Sequence, residues 1–214
     1  MSTGNPSWSV VVTTAPRKSP KLNTTIDSLQ TSGWKDPVVF AEPDSPACDA
    51  ETYTNKNKLG VFHNWIQAAK HGLDSGSDVV MTVQDDVWFH PDSKWFAESI
   101  LWPDKCAFLS LYTPLHYRVI NSNRAKNWIG KRSAMTPQQI AHKEQNPETI
   151  RNVDTFIGYC ATRDIKLNMY YVNPSFVQHI SECSSIGGRA AEGKRAARFM
   201  VGSDGAPNAN NIPL

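Results

Sequence analysis

No apolar run in the 214 residues approaches the roughly twenty needed to cross a bilayer, so no helical membrane span is expected. Both glycine-rich phosphate loops, G-x-G-x-x-G and G-x-x-x-x-G-K-[ST], are missing, which disfavours NAD enzymes and P-loop NTPases. The four cysteines, Cys48, Cys106, Cys160 and Cys183, have neither close pairing nor metal-type spacing, as expected of free thiols in a reducing compartment. Met1 to Ser7 is polar, without the basic and apolar regions of a signal peptide, so a cytoplasmic protein is expected. There is no internal repeat and no linker. Charge of either sign is nearly balanced: 22 Lys and Arg against 20 Asp and Glu leave +2, compatible with a polyanionic partner without requiring one.

What is present suits a folded domain. Hydrophobic residues make up 40% of the chain, enough for a sizeable core. Trp8 to Thr14 reads as a strand, stopped by Ala15-Pro16-Arg17. A helix is predicted from an N-cap at Ser19, followed by Pro20, through Leu22, Ile26 and Leu29 to Gly33. Pro37 to Ala41 is a second strand, and the polar stretch from Ser45 to Lys58 reads as a binding loop. Leu59 to Leu73 is a second helix, with Val61, Phe62, Trp65, Ile66 and Ala69 assigned to one apolar face. Val79 to Val83 follows as a strand expected to be buried on both faces, giving β-α-β-α-β, half of a nucleotide-binding sheet. Beyond it, the pattern predicts a helix from Lys94 to Leu101 and a strand from Ala107 to Tyr112. A helix opens at Thr136-Pro137, and another runs from Pro147 through Cys160. A last strand spans Lys166 to Val172. The expected fold is one α/β domain, 1–214, with a mostly parallel central sheet flanked by helices. Residues 8–112 form one half and 113–186 the other, ahead of a basic Gly/Ala-rich tail at 187–214.

The third strand ends in two adjacent carboxylates, Asp85 and Asp86. Acids at the end of a buried strand need a counter-charge, and in open α/β sheets ligands bind at that edge. A hard divalent ion holding a diphosphate fits these oxygens. The alternative is a solvated turn, with Asp92 capping the next helix. Thr13, Thr14 and Arg17 close the first strand and Glu42 and Asp44 close the second, so a parallel sheet lines all three ends along one edge.

Strand-Thr13-Thr14-Ala15-Pro16-Arg17, the helix carrying Gly60, Asn64 and Trp65, and Val79 to Val87 with Gln84-Asp85-Asp86 together resemble the GT-A glycosyltransferases. Val153 to Gly158 is similar to the family's motif for a catalytic base. Pro174 to Ile180, with Ser184-Ser185, is similar to the segment supplying a late histidine. The likeness spans roughly residues 8–186, with Gln84-Asp85-Asp86 in place of a literal D-x-D and Val153 in place of the first acid. It implies Mn²⁺ or Mg²⁺ on Asp85, Asp86 and His179. It also implies a nucleotide-sugar donor, such as a UDP-sugar, against Thr13, Thr14, Arg17, Glu42, Asp44, Asn64, Gln84 and Asp85, with Asp154 as the base. By residue type alone, Asp154 equally suits a helix-start acid, His179 a core histidine and Arg17 a surface charge.

The compact size, the T-T-A-P-R start and the basic second half further resemble bacteriophage enzymes related to the base J glucosyltransferase. These glycosylate hydroxymethylpyrimidines such as 5-hydroxymethylcytosine in DNA. That implies DNA at Tyr117, Arg118, Arg124, Lys126, Trp128 and Arg132. The cations would neutralise phosphate and an aromatic would stack on an extruded base; a solvated basic face is the alternative. Two other classes remain open: a glycosyltransferase for a polysaccharide or lipid-linked acceptor, and a non-catalytic module that kept the fold.

Overall fold

Three valines in succession, Val10, Val11 and Val12, lose almost all their exposure, and the strand that carries them is the centre of the first of two units. The computed structural model describes residues 6–100, 102–113, 129–131, 137–150, 153–172 and 175–180. The units comprise residues 1–100 and 101–214. In the first, Trp8–Thr14 (β1), Leu22–Thr31 (α1), Val38–Ala41 (β2), Thr52–Thr54 (β3), Val61–Asp74 (α2), Val79–Gln84 (β4), Val87–Phe89 (β5) and Ser93–Ser99 (α3) follow in order. β1 to β4 form a parallel sheet in the order β3-β2-β1-β4. Val12 pairs with Val39 on one side and Val83 on the other, and Thr13 with Phe40 and Gln84. The carboxyl ends of three strands are therefore level. The chain leaves β1 for β2 on one side and later returns to β4 on the other, so the order reverses at β1. Right-handed crossovers then put α1 and α2 on opposite faces.

Several expectations are corrected. β4 is not buried on both faces. Only Val83 is fully covered, Val79, Val80 and Met81 are half-buried, and Thr82 is exposed, because β4 lies at one end of this sheet. The face of α2 turned to the sheet is not the bulky one. Asn64, Ala68 and Gly72, four residues apart, are buried, whereas Ile66 is 40% and Leu73 70% exposed. Small residues let the helix backbone approach the strands: a Cβ on Gly72 would lie 2.5 Å from Val80 Cγ1. Val11, Phe40 and Ala68 form the core beneath it. The Ser45–Lys58 stretch contains a strand, β3, whose three residues are all exposed and so carry no apolar signal. α1 starts at Leu22 after Lys21, with no side-chain cap, rather than from Ser19.

The hydroxyls of α1 supply an element that the hydrophobic pattern does not show. Thr25 and Ser28 are buried, and Thr25 Oγ1 accepts from the Val87 N–H at 3.2 Å and donates to the Val87 carbonyl at 2.8 Å. Ser28 Oγ accepts from the Phe89 N–H at 3.2 Å. Backbone groups of β5 thus pair with helix side chains, meeting the requirement that buried peptide groups be bonded.

In the second unit, Cys106–Ser110 (β6), Ile129–Lys131 (β7), Pro137–Gln145 (α4), Val153–Asp164 (α5), Asn168–Val172 (β8) and Val177–His179 (β9) are formed. β8 lies between β6, parallel to it, and β7, antiparallel. Gly158 lets α5 meet Met169 of β8 closely. The single helix expected from Pro147 through Cys160 is a 3₁₀ turn, Pro147–Thr149, and then α5. Ile150 between them is extended, with ψ 97°, which breaks the helix. Around the end of β6, the Thr113 N–H donates to Ser175 Oγ at 2.8 Å, Thr113 Oγ1 donates to the Val172 carbonyl, and the Phe176 N–H donates to the Leu111 carbonyl at 2.9 Å.

Candidate active site

The reversal at β1 brings Thr14, Arg17, Asp85 and Asp86 into one cluster. Thr14 is the last residue of β1, and the two acids form the turn between β4 and β5. β4 is fixed by its pairing with β1 and β5 by the hydroxyls of α1, so the turn is held from both sides. Arg17 bridges the acids: Nη2 donates to Asp85 Oδ1 at 2.5 Å and Nη1 to Asp86 Oδ2 at 3.1 Å. Thr14 Oγ1 donates to the other Asp85 oxygen at 2.5 Å. Asp85 and Asp86 are each 1% exposed, which removes the solvated-turn alternative. Asp92 flanks α3 but makes no side-chain cap; its N–H donates to His90 Nδ1.

Electrostatics at this cluster pull in two directions. Burial pushes the Asp85 carboxyl up, more than the hydrogen bonds of Arg17 and Thr14 and the charge of Arg17 pull it down. Burial also opposes charge on Arg17, but the hydrogen bonds and fields of Asp85 and Asp86 more than reverse it and raise its pKa. A guanidinium held by two carboxylates stays charged and keeps an ionised acid beside it. Its Nε–H is buried and finds no acceptor among the described residues.

The neighbouring strand end is built differently. Glu42, buried, accepts the Leu59 N–H, with its oxygens at 2.9 and 3.2 Å. Asn64 donates to the Phe40 carbonyl at 3.0 Å and the Thr14 carbonyl at 3.4 Å, and accepts from Asn55 Nδ2 at 2.9 Å. Both ends of the Asn64 amide are thus engaged in holding the ends of β1 and β2 together. Asp44 and Gln84 are exposed, Asp44 at a turn with φ +62°, and Thr13 Oγ1 donates to the Val83 carbonyl at 3.4 Å.

No family model and no curated protein matches this chain.

Which residues could hold a metal follows from donor chemistry. Asp85 and Asp86 offer hard carboxylate oxygens, fitting Mn²⁺ or Mg²⁺ and not a soft ion. Arg17 already takes one oxygen of each and offsets one of the two charges. In the second unit His179 ends β9, half-buried, with its ring edge-on to Tyr112 at 4.8 Å. A second group, Glu144, Cys160 and Asp164, has ligand atoms within 4.8 Å of one another, but Arg163 pairs with Glu144 at 2.6 Å and Asp164 at 2.5 Å. Burial holds the Cys160 thiol up, away from the thiolate that a metal needs. Asp154 is the second residue of α5, at a helix start as expected; its side chain is outside what is described. Tyr117, Arg118, Arg124, Lys126, Trp128 and Arg132 lie outside the described residues. Sequence reasoning missed the hydroxyl ladder of Thr25 and Ser28, since three- and four-residue hydroxyl spacing on a helix reads as a solvated face.

Proposed function

We propose that this chain is an inverting glycosyltransferase of the GT-A type. It would transfer a sugar from a nucleotide-diphosphate donor to the hydroxyl of a 5-hydroxymethylpyrimidine in DNA, with Mn²⁺ or Mg²⁺. The observation that carries the reading is the buried Asp85–Asp86 pair at the carboxyl end of β4, beside the end of β1 where the strand order reverses. The carboxyl edge at such a reversal of strand order is where a half nucleotide-binding sheet takes its ligand. A divalent cation on these oxygens supplies positive charge for the departing diphosphate.

The remaining roles belong to the chain. Arg17 adds a fixed cation at the same edge. Glu42 shapes the end of β2, where the donor nucleoside would lie, and Asn64 and Thr14 keep the strand ends and Asp85 in register. Asp154 takes the acceptor proton as the new glycosidic bond forms. The DNA acceptor is supported by residues 117–132, where Tyr117 and Trp128 stand among Arg118, Arg124, Lys126 and Arg132.

Mass spectrometry of hydroxymethylated DNA after incubation with mixed nucleotide sugars tests the proposal. A hexose-sized mass gain that chelator abolishes and that Asp86→Ala loses is expected. Sugar transfer to an oligosaccharide or lipid-linked acceptor, with none to DNA, would move the acceptor to the polysaccharide alternative. No transfer or donor hydrolysis under any condition would overturn the assignment.

A further inference from the structure

We propose that Arg17 is a resident counter-ion that holds the Asp85–Asp86 pair closed. It yields those oxygens to a divalent cation and then turns its guanidinium to the phosphates of the donor. This rests on the reading of the cluster as a donor site and assigns Arg17 two successive partners within it.

Three observations support the exchange. First, the two carboxylates that a hard cation would need are the ones Arg17 bridges, through Asp85 Oδ1 at 2.5 Å and Asp86 Oδ2 at 3.1 Å. Arginine and cation therefore compete for the same pair of carboxylates. Second, the two bonds are unequal. The Asp85 contact is short and Asp85 is also fixed by Thr14, whereas Arg17 holds Asp86 by one longer bond. The longer of the two Arg17 bonds is the one to Asp86, and Thr14 keeps Asp85 oriented when Arg17 leaves. Third, Arg17 is the less committed member of the cluster. It sits in the loop after β1, outside any helix or strand, and its buried Nε–H has no acceptor among the described residues. A planar guanidinium with an unfilled donor suits bidentate capture of phosphate oxygens. A purely structural arginine would be expected to have that donor satisfied.

The proposal predicts opposite effects of one substitution on two ligands. Arg17→Met removes the competitor, so calorimetric titration with Mn²⁺ alone should give binding about tenfold or more tighter than wild type, since hydrogen bonds between charged groups are lost from the reference state. The same variant, saturated with Mn²⁺, should bind UDP about tenfold or more weakly, having lost the phosphate contact. Arg17→Lys, which keeps one charge but not the fork, should lie between on both measures. It carries the comparison if Arg17→Met folds neither with nor without Mn²⁺; folding only with Mn²⁺ counts for the exchange. Equal Mn²⁺ affinity in wild type and variants overturns the exchange while leaving the metal site standing. Unchanged UDP affinity overturns the second partner. Absence of Mn²⁺ binding in every form overturns the exchange and the metal reading together, whereas sugar transfer is judged separately by the DNA assay.

Discussion

Replacing Arg17 by methionine should unfold the metal-free protein more readily, and increasingly so as pH rises. The substitution keeps most of the side-chain volume but leaves Asp85 and Asp86, each 1% exposed, beside one another without their shared cation. Removing one partner of a buried pair costs about 3–5 kcal/mol. A chain of this size loses about 2–4 °C of Tm per kcal/mol, so a fall of about 6–20 °C is expected at pH 8 in low salt. The sign of the pH dependence follows from the acids. Without Arg17, its hydrogen bond and charge no longer oppose the burial of Asp85, so the folded-state value of Asp85 moves up. A carboxyl raised on folding contributes stability fully below its unfolded value, near about 3.9, and loses it as pH climbs through the folded value. The difference in Tm between wild type and variant should therefore narrow on going from pH 8 to pH 5. Melts followed by circular dichroism at the two pH values, with chelator present, measure it. A variant within about 2 °C of wild type at pH 8, less than one kcal/mol, would refute the reasoning. So would a deficit that widens in acid.

Thr25→Val conserves shape but removes both bonds to Val87. It should lose about 1–3 kcal/mol in urea unfolding, and a neutral result would deny the hydroxyl ladder its role. Gly72→Ala drives a methyl group to 2.5 Å from the stiff, branched Val80 and should cost about 1–3 kcal/mol. Gly158→Ala meets instead the flexible end of Met169 and should cost less; the reverse order in denaturant midpoints would contradict the packing argument. Asp154→Asn should lower kcat by about 10²–10⁴-fold with donor affinity kept, and wild type should convert an α-linked donor to a β-linked product. NMR showing retention, or an unchanged rate in the variant, would return Asp154 to a helix-start acid.

The alternation of apolar strand and amphipathic helix made β1, α1, β2, α2 and β4 legible, because each must bury an apolar surface. The acids at the end of β4 were legible for the same reason, since charge following an apolar run stands out. What escaped detection lacks that contrast. β3 is Thr-Tyr-Thr on an exposed edge, paired through backbone atoms that composition does not reveal. β5 is stabilised by helix hydroxyls, a pairing between side chain and backbone with no period in the sequence. On α2 the inference failed outright: bulky residues were assigned to the buried face, yet close approach to the sheet required Ala68 and Gly72, and the amide of Asn64 was needed between two strand ends. Arg17 was legible as a cation near the site but not as the partner of both acids, because no spacing rule links a loop after β1 to a turn after β4.

The Arg17 cluster also bears on why the acids persist. Exchange of a buried ion pair for apolar residues of similar size is often neutral or stabilising, so the Thr14–Arg17–Asp85–Asp86 network is weak evidence of a structural device. Folding alone would be served by a hydrophobic turn between β4 and β5, which α1 and β1 already fix from either side. The network instead keeps two carboxylates beside a cation at the strand ends where the order reverses. Burial there disfavours charge on both Asp85 and Arg17; the pairing outweighs that cost for Arg17 and reduces it for Asp85. A cluster whose charges are opposed by burial and that, among the described residues, a loop arginine bridges is what the proposed exchange of cations starts from. That is the property a donor site needs, and one that a structural salt bridge does not.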